Sequence, residues 1–275
     1  MRWALAAAAL VACGGQIVDE PLDAAVDSSI PKDASQDVPA TFVDVTGIDD
    51  TPIPAQCLVS KSSLLAYYPL DGDTNDHSGH GFDAVATTEL YTGGLLNSAL
   101  HFDGSTQSLR VTGGAGMLQG PRTLCAWTKS NPTTGAGQPV FWGGSTNQGD
   151  FYSLFSSAPG NTSCTNPLPN TPFVDHGSNC FVAPTQPIVL GQWQLVCYAF
   201  DGGAVEISVN GVENKTPGTL YDYPLTTLFI GSNPTPSSTT GTTFTGIIDE
   251  VSVWSVALSF SDLQALWNNG KGCPL

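Results

Sequence analysis

The chain has 275 residues, a formal net charge of -16 and only eight lysines and arginines, which excludes nucleic acid as a partner because phosphate binding runs on cationic side chains. Charged residues make up 12% of it, roughly half of the ~25% usual in globular proteins. Gly and Pro are frequent without reaching the low-complexity range, so the profile is that of a turn-rich, exported β protein with room for one large domain and a tail.

In chain order, residues 1–13 come first: Arg2 followed by an apolar run ending at Cys13, too short to span a bilayer, which reads as a signal peptide. Leu10-Val11-Ala12-Cys13 resembles a bacterial lipobox, making Cys13 the expected lipidated first residue of the mature protein. The alternative is an ordinary export signal cleaved nearby. Gly14 after the cysteine fits an outer-membrane or cell-surface lipoprotein, whose membrane contact is the lipid anchor alone. Residues 14–56 mix Pro, Ala, Ser and Asp without periodicity and are expected to form a disordered, extended acidic tether.

From residue 57 to 275 short β-rich runs recur between turn signals. Strands are expected at 64–70, 98–102, 108–111, 123–128, 140–142, 151–155, 193–200, 205–209, 225–230 and 246–254. Asn210-Gly211 supplies the two positive-φ positions of a hairpin turn. On 246–254, strict alternation puts Ile247, Asp249, Val251 and Val253 on one face, so Asp249 interrupts an apolar row and needs a compensating cation, metal or hydrogen-bond donors. Glu250 is then expected on the opposite face. Ser259 reads as the N-cap of a short helix, with Asp262 three residues on and Gly270 as its stop. Trp127, Trp193 and Trp254 sit among apolar neighbours and are assigned to the core.

Three blocks carry a resemblance to a known family. Gly246-Ile-Ile-Asp-Glu-Val-Ser-Val-Trp254 leading into Ala257-Leu-Ser259, the opening Leu65-Ala-Tyr-Tyr-Pro-Leu-Asp71 with its Asp76-His-Ser-Gly79 loop, and Ala99-Leu-His-Phe-Asp-Gly104 occur in the order found in laminin G-like, pentraxin-like members of the concanavalin A-like jelly rolls. The resemblance implies an all-β, two-sheet antiparallel jelly-roll sandwich with one short C-terminal helix. Lectins, adhesion modules, enzymes and spacers share that fold, so function has to be argued from the site.

With Cys13 set aside, six of the seven cysteines remain, an even number that suits three disulfides in an exported protein. Sequence alone leaves 15 pairings open. The family's strand order implies Cys57 with Cys273 and Cys125 with Cys197, leaving Cys164 with Cys180. A zinc site has no Cys-x-x-Cys spacing to support it.

Asp71, Asp73, Asn75 and Asp76 crowd one loop, and calcium takes six to eight such oxygens. The spacing is not that of an EF-hand. The resemblance places the loop near the strand of Asp249, so Asp71, Asp73, Asp76 and Asp249 are the candidate ligands of a structural or bridging calcium. The competing reading is a turn in which Asp and Asn cap their own backbone. His77 and His80 are expected to be exposed loop residues. No paired carboxylates of the glucanase spacing and no Gly-x-Ser-x-Gly elbow occur. Trp142, Tyr152, Tyr221 and Tyr223 stand beside polar loop residues and are the candidates for stacking on a ligand, core packing being the alternative for each. The expected role is non-catalytic recognition of an extracellular glycan or protein. A divergent glycoside hydrolase or polysaccharide lyase is the alternative, and a passive surface spacer the third.

Overall fold

β-Branched and aromatic runs of four to ten residues, cut by Gly, Asn and Asp at turns, favour extended backbone, and hydrophobic alternation lets each sheet bury one face. A computed structural model describes residues 59–113, 117–132, 138–144, 151–155, 170–176, 179–183, 186–218, 227–233 and 242–275, all within the unit Thr51–Leu275. The expected signal peptide, Cys13, the tether, Cys57, Cys164, Tyr221 and Tyr223 lie outside the described residues.

The strands are β1 (Leu64–Tyr68), β2 (Ala84–Ala86), β3 (Tyr91–Gly93), β4 (Ser98–Asp103), β5 (Leu109–Thr112), β6 (Arg122–Ser130), β7 (Pro139–Gly144), β8 (Phe151–Phe155) and β9 (Phe173–His176). They continue as β10 (Asn179–Val182), β11 (Gln194–Phe200), β12 (Ala204–Val209), β13 (Val212–Pro217), β14 (Thr227–Ile230), β15 (Ser232–Asn233), β16 (Thr242–Thr243) and β17 (Thr245–Trp254), before the helix α1 (Phe260–Trp267). A first sheet runs β13-β12-β11-β6-β17-β4-β3, with β1 also on β17, and a second runs β10-β9-β8-β7-β14-β5-β2. The paired strands of both are antiparallel. This is the expected jelly-roll sandwich.

Between the sheets lies the main core, built from Leu100, Phe102, Val196, Tyr198, Val251 and Val253 on one side and Leu109, Val111, Val174, Leu228 and Ile230 on the other. A second core forms on the outer face of the first sheet. There Cys125, Trp127, Cys197 and Trp254 pack against Leu258, Leu263 and Leu266 of the helical segment and against Cys273. Trp127 and Trp254 are buried and Trp193 packs half-buried against them, as expected. Cys125 and Cys197 stand directly opposite on β6 and β11 and form the expected disulfide. Cys180 and Cys273 each belong to a disulfide as well, with partners outside the described residues.

Ser259 Oγ accepts from the Asp262 N–H while the Asp262 carboxylate accepts from the Ser259 N–H, closing the capping box read from the sequence. The helix stops earlier than expected. Asn268, at φ 47°, takes the left-handed C-cap position assigned to Gly270, since Asn is the residue other than Gly that adopts it most readily. Among the described residues no helix is long and apolar enough to cross a membrane.

Candidate functional site

The two acids singled out in the sequence are both compensated, but separately. Asp76 Oδ1 accepts from the N–H groups of Tyr67 and Ser78 at 3.0 and 2.9 Å, and Oδ2 from the Phe82 N–H and Ser78 Oγ at 3.0 and 2.9 Å. Burial alone would raise this carboxyl, yet the backbone donors win and hold it below the usual range. Four donors fill its acceptor capacity.

Asp249 is fully buried, and its Oδ2 accepts from the Leu95 and Leu96 N–H groups at 2.8 and 3.2 Å while Oδ1 accepts from the Glu250 N–H at 2.9 Å. Here desolvation wins, pushing the carboxyl up to about 7. Gly94 makes the approach possible: a Cβ there would stand 2.7 Å from Asp249 Oδ2 and 2.6 Å from the Leu96 carbonyl.

The alternation expected on β17 is broken at this point. β17 pairs with β4 through Ile248 and with β1 from Val251 onward, and its register on β6 shifts between Asp249 and Ser252. Glu250 sits in the bulge at φ 50°. Ile248, not Asp249, therefore shares the inner face with Val251 and Val253. Glu250, expected on the far side, is buried as well; desolvation raises its carboxyl to about 8, and the Tyr67 hydroxyl donates to its Oε2.

Asp71 accepts from Asn97 Nδ2 and the Ser98 N–H, both at 2.9 Å, and Asp73 from the Asn75 N–H at 3.0 Å with exposed His77 beside it at 3.2 Å. Among the described residues no group of three or more His, Cys, Asp or Glu is placed to hold a metal ion. Asp71, Asp73, Asp76 and Asp249, the expected calcium ligands, each accept from donors of their own in this arrangement.

The outer face of the second sheet holds a different arrangement. The registers line up Val85, Arg110, Phe229, Trp142, Ser153, Asp175 and Cys180 in one row across all seven strands. Their strand neighbours Ala84, Leu109, Val111, Leu228, Ile230, Phe141, Val174 and Phe181 belong to the inner core, so period-two alternation turns Val85, Arg110, Phe229, Trp142, Asp175 and Cys180 outward. Trp142 meets Phe229 edge-on, with ring centroids 5.6 Å apart. The Trp142 indole N–H is buried without a hydrogen-bond partner among the described residues. Asp175 is buried two strands away, and desolvation pushes its carboxyl up to about 6. Phe229 is half-buried, Arg110 exposed and Val85 67% exposed, so the row opens to solvent toward β2.

Of the four predicted contact residues, Trp142 lies in this row, and Tyr152 falls on β8, paired with Gly143 of β7. Sequence reading missed Phe229, Arg110 and Asp175. Arg110 and Phe229 belong to short strands paired with each other from distant parts of the sequence, Asp175 to a four-residue strand, and only sheet order puts the three in one row.

Residues 102–264 match the model of a laminin G-type family described as the concanavalin A-like lectin/glucanases superfamily. No curated protein sequence matches. Among solved structures, domain 4 of AbnA, a GH43 extracellular arabinanase from Geobacillus stearothermophilus, in complex with arabinotriose, is 20% identical with a TM-score of 0.55, over 74% of this chain and 97% of that one. Trypanosoma rangeli sialidase in complex with a difluoro-nononic acid is 14% identical with a TM-score of 0.57, over 78% of this chain and 34% of that one. The binding domain of botulinum neurotoxin DC in complex with SialylT is 12% identical with a TM-score of 0.54, over 76% and 52%. These likenesses are of fold. The chain spans about half of the neurotoxin domain and a third of the sialidase.

Proposed function

Because the chain belongs to the concanavalin A-like lectin/glucanase superfamily, we propose that it is a non-catalytic recognition domain that binds an extracellular glycan on the outer face of its second sheet. The observation that carries this reading is the cross-strand row of Arg110, Phe229, Trp142 and Asp175. A half-exposed ring next to an indole gives an apolar platform for the C–H face of a sugar. An exposed guanidinium, an unpaired indole N–H and a buried carboxyl bracket that platform with donors and an acceptor for hydroxyls. The arabinotriose and sialic acid-type ligands of the structural neighbours agree with this class of partner. In the same reading, lipid on Cys13 and the acidic tether of residues 14–56 hold the domain away from a bacterial surface.

The test is a glycan and polysaccharide array on the intact mature protein, with and without EDTA. Retention of one glycan class, lost in Phe229→Ala, supports the reading. Release of reducing ends from a retained polysaccharide would replace it with the hydrolase or lyase alternative, and no retention of any glycan would leave the spacer. Loss of retention in EDTA would return calcium to the site.

A further inference from the structure

The far edge of the first sheet carries a second, unrelated cavity. The outer faces of β11, β12 and β13 and the start of α1 enclose about 320 Å³, lined among others by Asp201, Glu206, Glu213, Lys215, Leu258 and Phe260. That volume is at the lower end of small-molecule pockets.

Glu206 is its central residue. Val205 and Ile207 on either side belong to the core between the sheets, so alternation sends the Glu206 side chain outward between Ala199 of β11 and Lys215 of β13. It is 8% exposed, and its Oε1 has no hydrogen-bond partner among the described residues. A buried acceptor left in that state costs ~1–3 kcal/mol. Alanine, valine or leucine would fill the position without that cost, so a carboxylate here calls for a donor.

The charges around it show what donor is missing. Lys215, the cation in the lining, is committed elsewhere: its Nζ lies 2.6 Å from Asp201 Oδ2. Asp201 Oδ1 in turn accepts from the Gly203 and Ala204 N–H groups at 2.9 and 2.8 Å. Glu213, next to Lys215 on the same edge strand, adds a second carboxylate facing Glu206. The helix brings no compensation, since the Asp262 N–H is capped by Ser259 Oγ and the Asp262 carboxylate is returned to Ser259. Three acids against one lysine leave two surplus negative charges when all are ionised. Burial, and then Glu213, raise the Glu206 carboxyl to about 7, with Lys215 acting the other way. The ring of Phe260, 52% exposed, stands at the rim.

We propose that this cavity binds a primary ammonium group carried on a compact body no larger than a hexosamine. Three N–H donors and a positive charge satisfy Glu206 Oε1 and Glu213 together, which a neutral hydroxyl does only in part. The Phe260 face takes the ammonium's apolar neighbours and adds a cation–π contribution. The site is on the other sheet from the aromatic row and does not rest on the glycan reading. Binding requires the ionised Glu206, so it displaces the proton that burial keeps there, and affinity rises with pH through about 7.

Isothermal titration calorimetry on the intact mature protein tests this with glucosamine, lysine amide and N-acetylglucosamine, the last keeping the ring without the charge. Glucosamine, lysine amide or both should bind, several-fold more tightly at about pH 7 than at about pH 5.5. N-acetylglucosamine should not. Glu206→Gln, which mimics the protonated acid and should keep the thermal transition, should weaken the ammonium at least tenfold, and Phe260→Ala several-fold. Equal binding of glucosamine and N-acetylglucosamine, or ammonium binding unchanged in both Glu206→Gln and Glu213→Gln, would overturn the proposal in favour of general attraction to an acidic protein. So would no binding by either amine.

Discussion

On the outer face of the first sheet, Trp127 and Trp254 lie beneath α1, and Asp249 takes three backbone N–H groups. On the outer face of the second, Trp142 lies beside half-exposed Phe229 and exposed Arg110, with its indole N–H unpaired. Both faces come from the same alternation of side chains. What separates them is cover: beneath α1 the first has become a second core in which the buried acid Asp249 is matched, and the second keeps an unmatched indole N–H beside a ring in reach of solvent. An unmatched group, whether Trp142 Nε1 here or Glu206 Oε1 at the far edge of the first sheet, marks a place with something left to bind.

The comparison can be broken most sharply at Trp127. If the first face is a core, Trp127→Ala should cost about 3–5 kcal/mol in denaturant unfolding, while glycan retention per folded molecule stays unchanged. A loss of retention with little loss of stability would reverse the assignment of the two faces.

Next comes the matched acid. Asp249→Ala strands the part-buried Leu95 and Leu96 N–H groups, so a loss of about 1–3 kcal/mol in all is expected. Asp249→Asn keeps an acceptor oxygen and should cost less. Gly94→Ala attacks the same contact from the loop, since its Cβ meets backbone oxygens that have little room to give, and about 1–3 kcal/mol is expected. If calcium rather than backbone N–H groups compensates Asp249, added calcium should raise the melting temperature of wild type but not of Asp249→Asn. No calcium effect on either is expected.

Much of this was legible in the sequence, and the failures are instructive. β8 and the capping box at Ser259 stood where they were read, because each is fixed by residues within a few positions of one another. The need of Asp249 for a partner was also legible, since an acid in a β-branched run is costly wherever it points. Its partner was not. A bulge is set by which strand lies alongside, and here the edge partner changes from β4 to β1 midway along β17, taking Asp249 off the face of Val251 and Val253 on which it was placed. β2 and β3 were missed because three-residue strands are too short to show a period, and β9 and β10 because Asp175, His176 and Asn179 interrupt their four-residue runs. Three of the missed strands hold members of the aromatic row, Val85, Asp175 and Cys180, and with them part of the candidate site.

Acidity should act on both faces at once. Asp175, Glu206, Asp249 and Glu250 are raised to about 6, 7, 7 and 8 in the folded protein. A carboxyl whose folded pKa exceeds its unfolded value binds more protons when folded, so its contribution is present below the unfolded pKa and is lost as pH rises through the folded one. The melting temperature should therefore fall between about pH 5 and about pH 8, by on the order of 5 °C. Asp76, held low by its N–H donors, works the other way below about pH 4. Asp249→Asn should flatten the fall by removing one titrating group; an unchanged slope would show that the buried acids of the first face do not titrate in this range.

Phe229→Ala isolates the second face. Its ring is only half-buried, so little stability is at stake, while the loss of a stacking platform should weaken the retained glycan roughly tenfold. Equal affinity in wild type and Phe229→Ala, with Trp142→Ala also unchanged when folded, would leave the row as a third patch of packing.

The mildest disturbance is to the cover alone. Ser259→Ala removes the oxygen that accepts the Asp262 N–H at 3.3 Å and lets the Asp262 carboxylate lose its hydroxyl donor, loosening the first turn of α1. A cost of about 1 kcal/mol is expected from the lost cap. Because α1 packs on the first sheet through Leu263 and Leu266, that cost should appear in the unfolding curve and not in glycan affinity. If affinity falls with it, the two outer faces are coupled through the sandwich, and the cover of one is part of the binding machinery of the other.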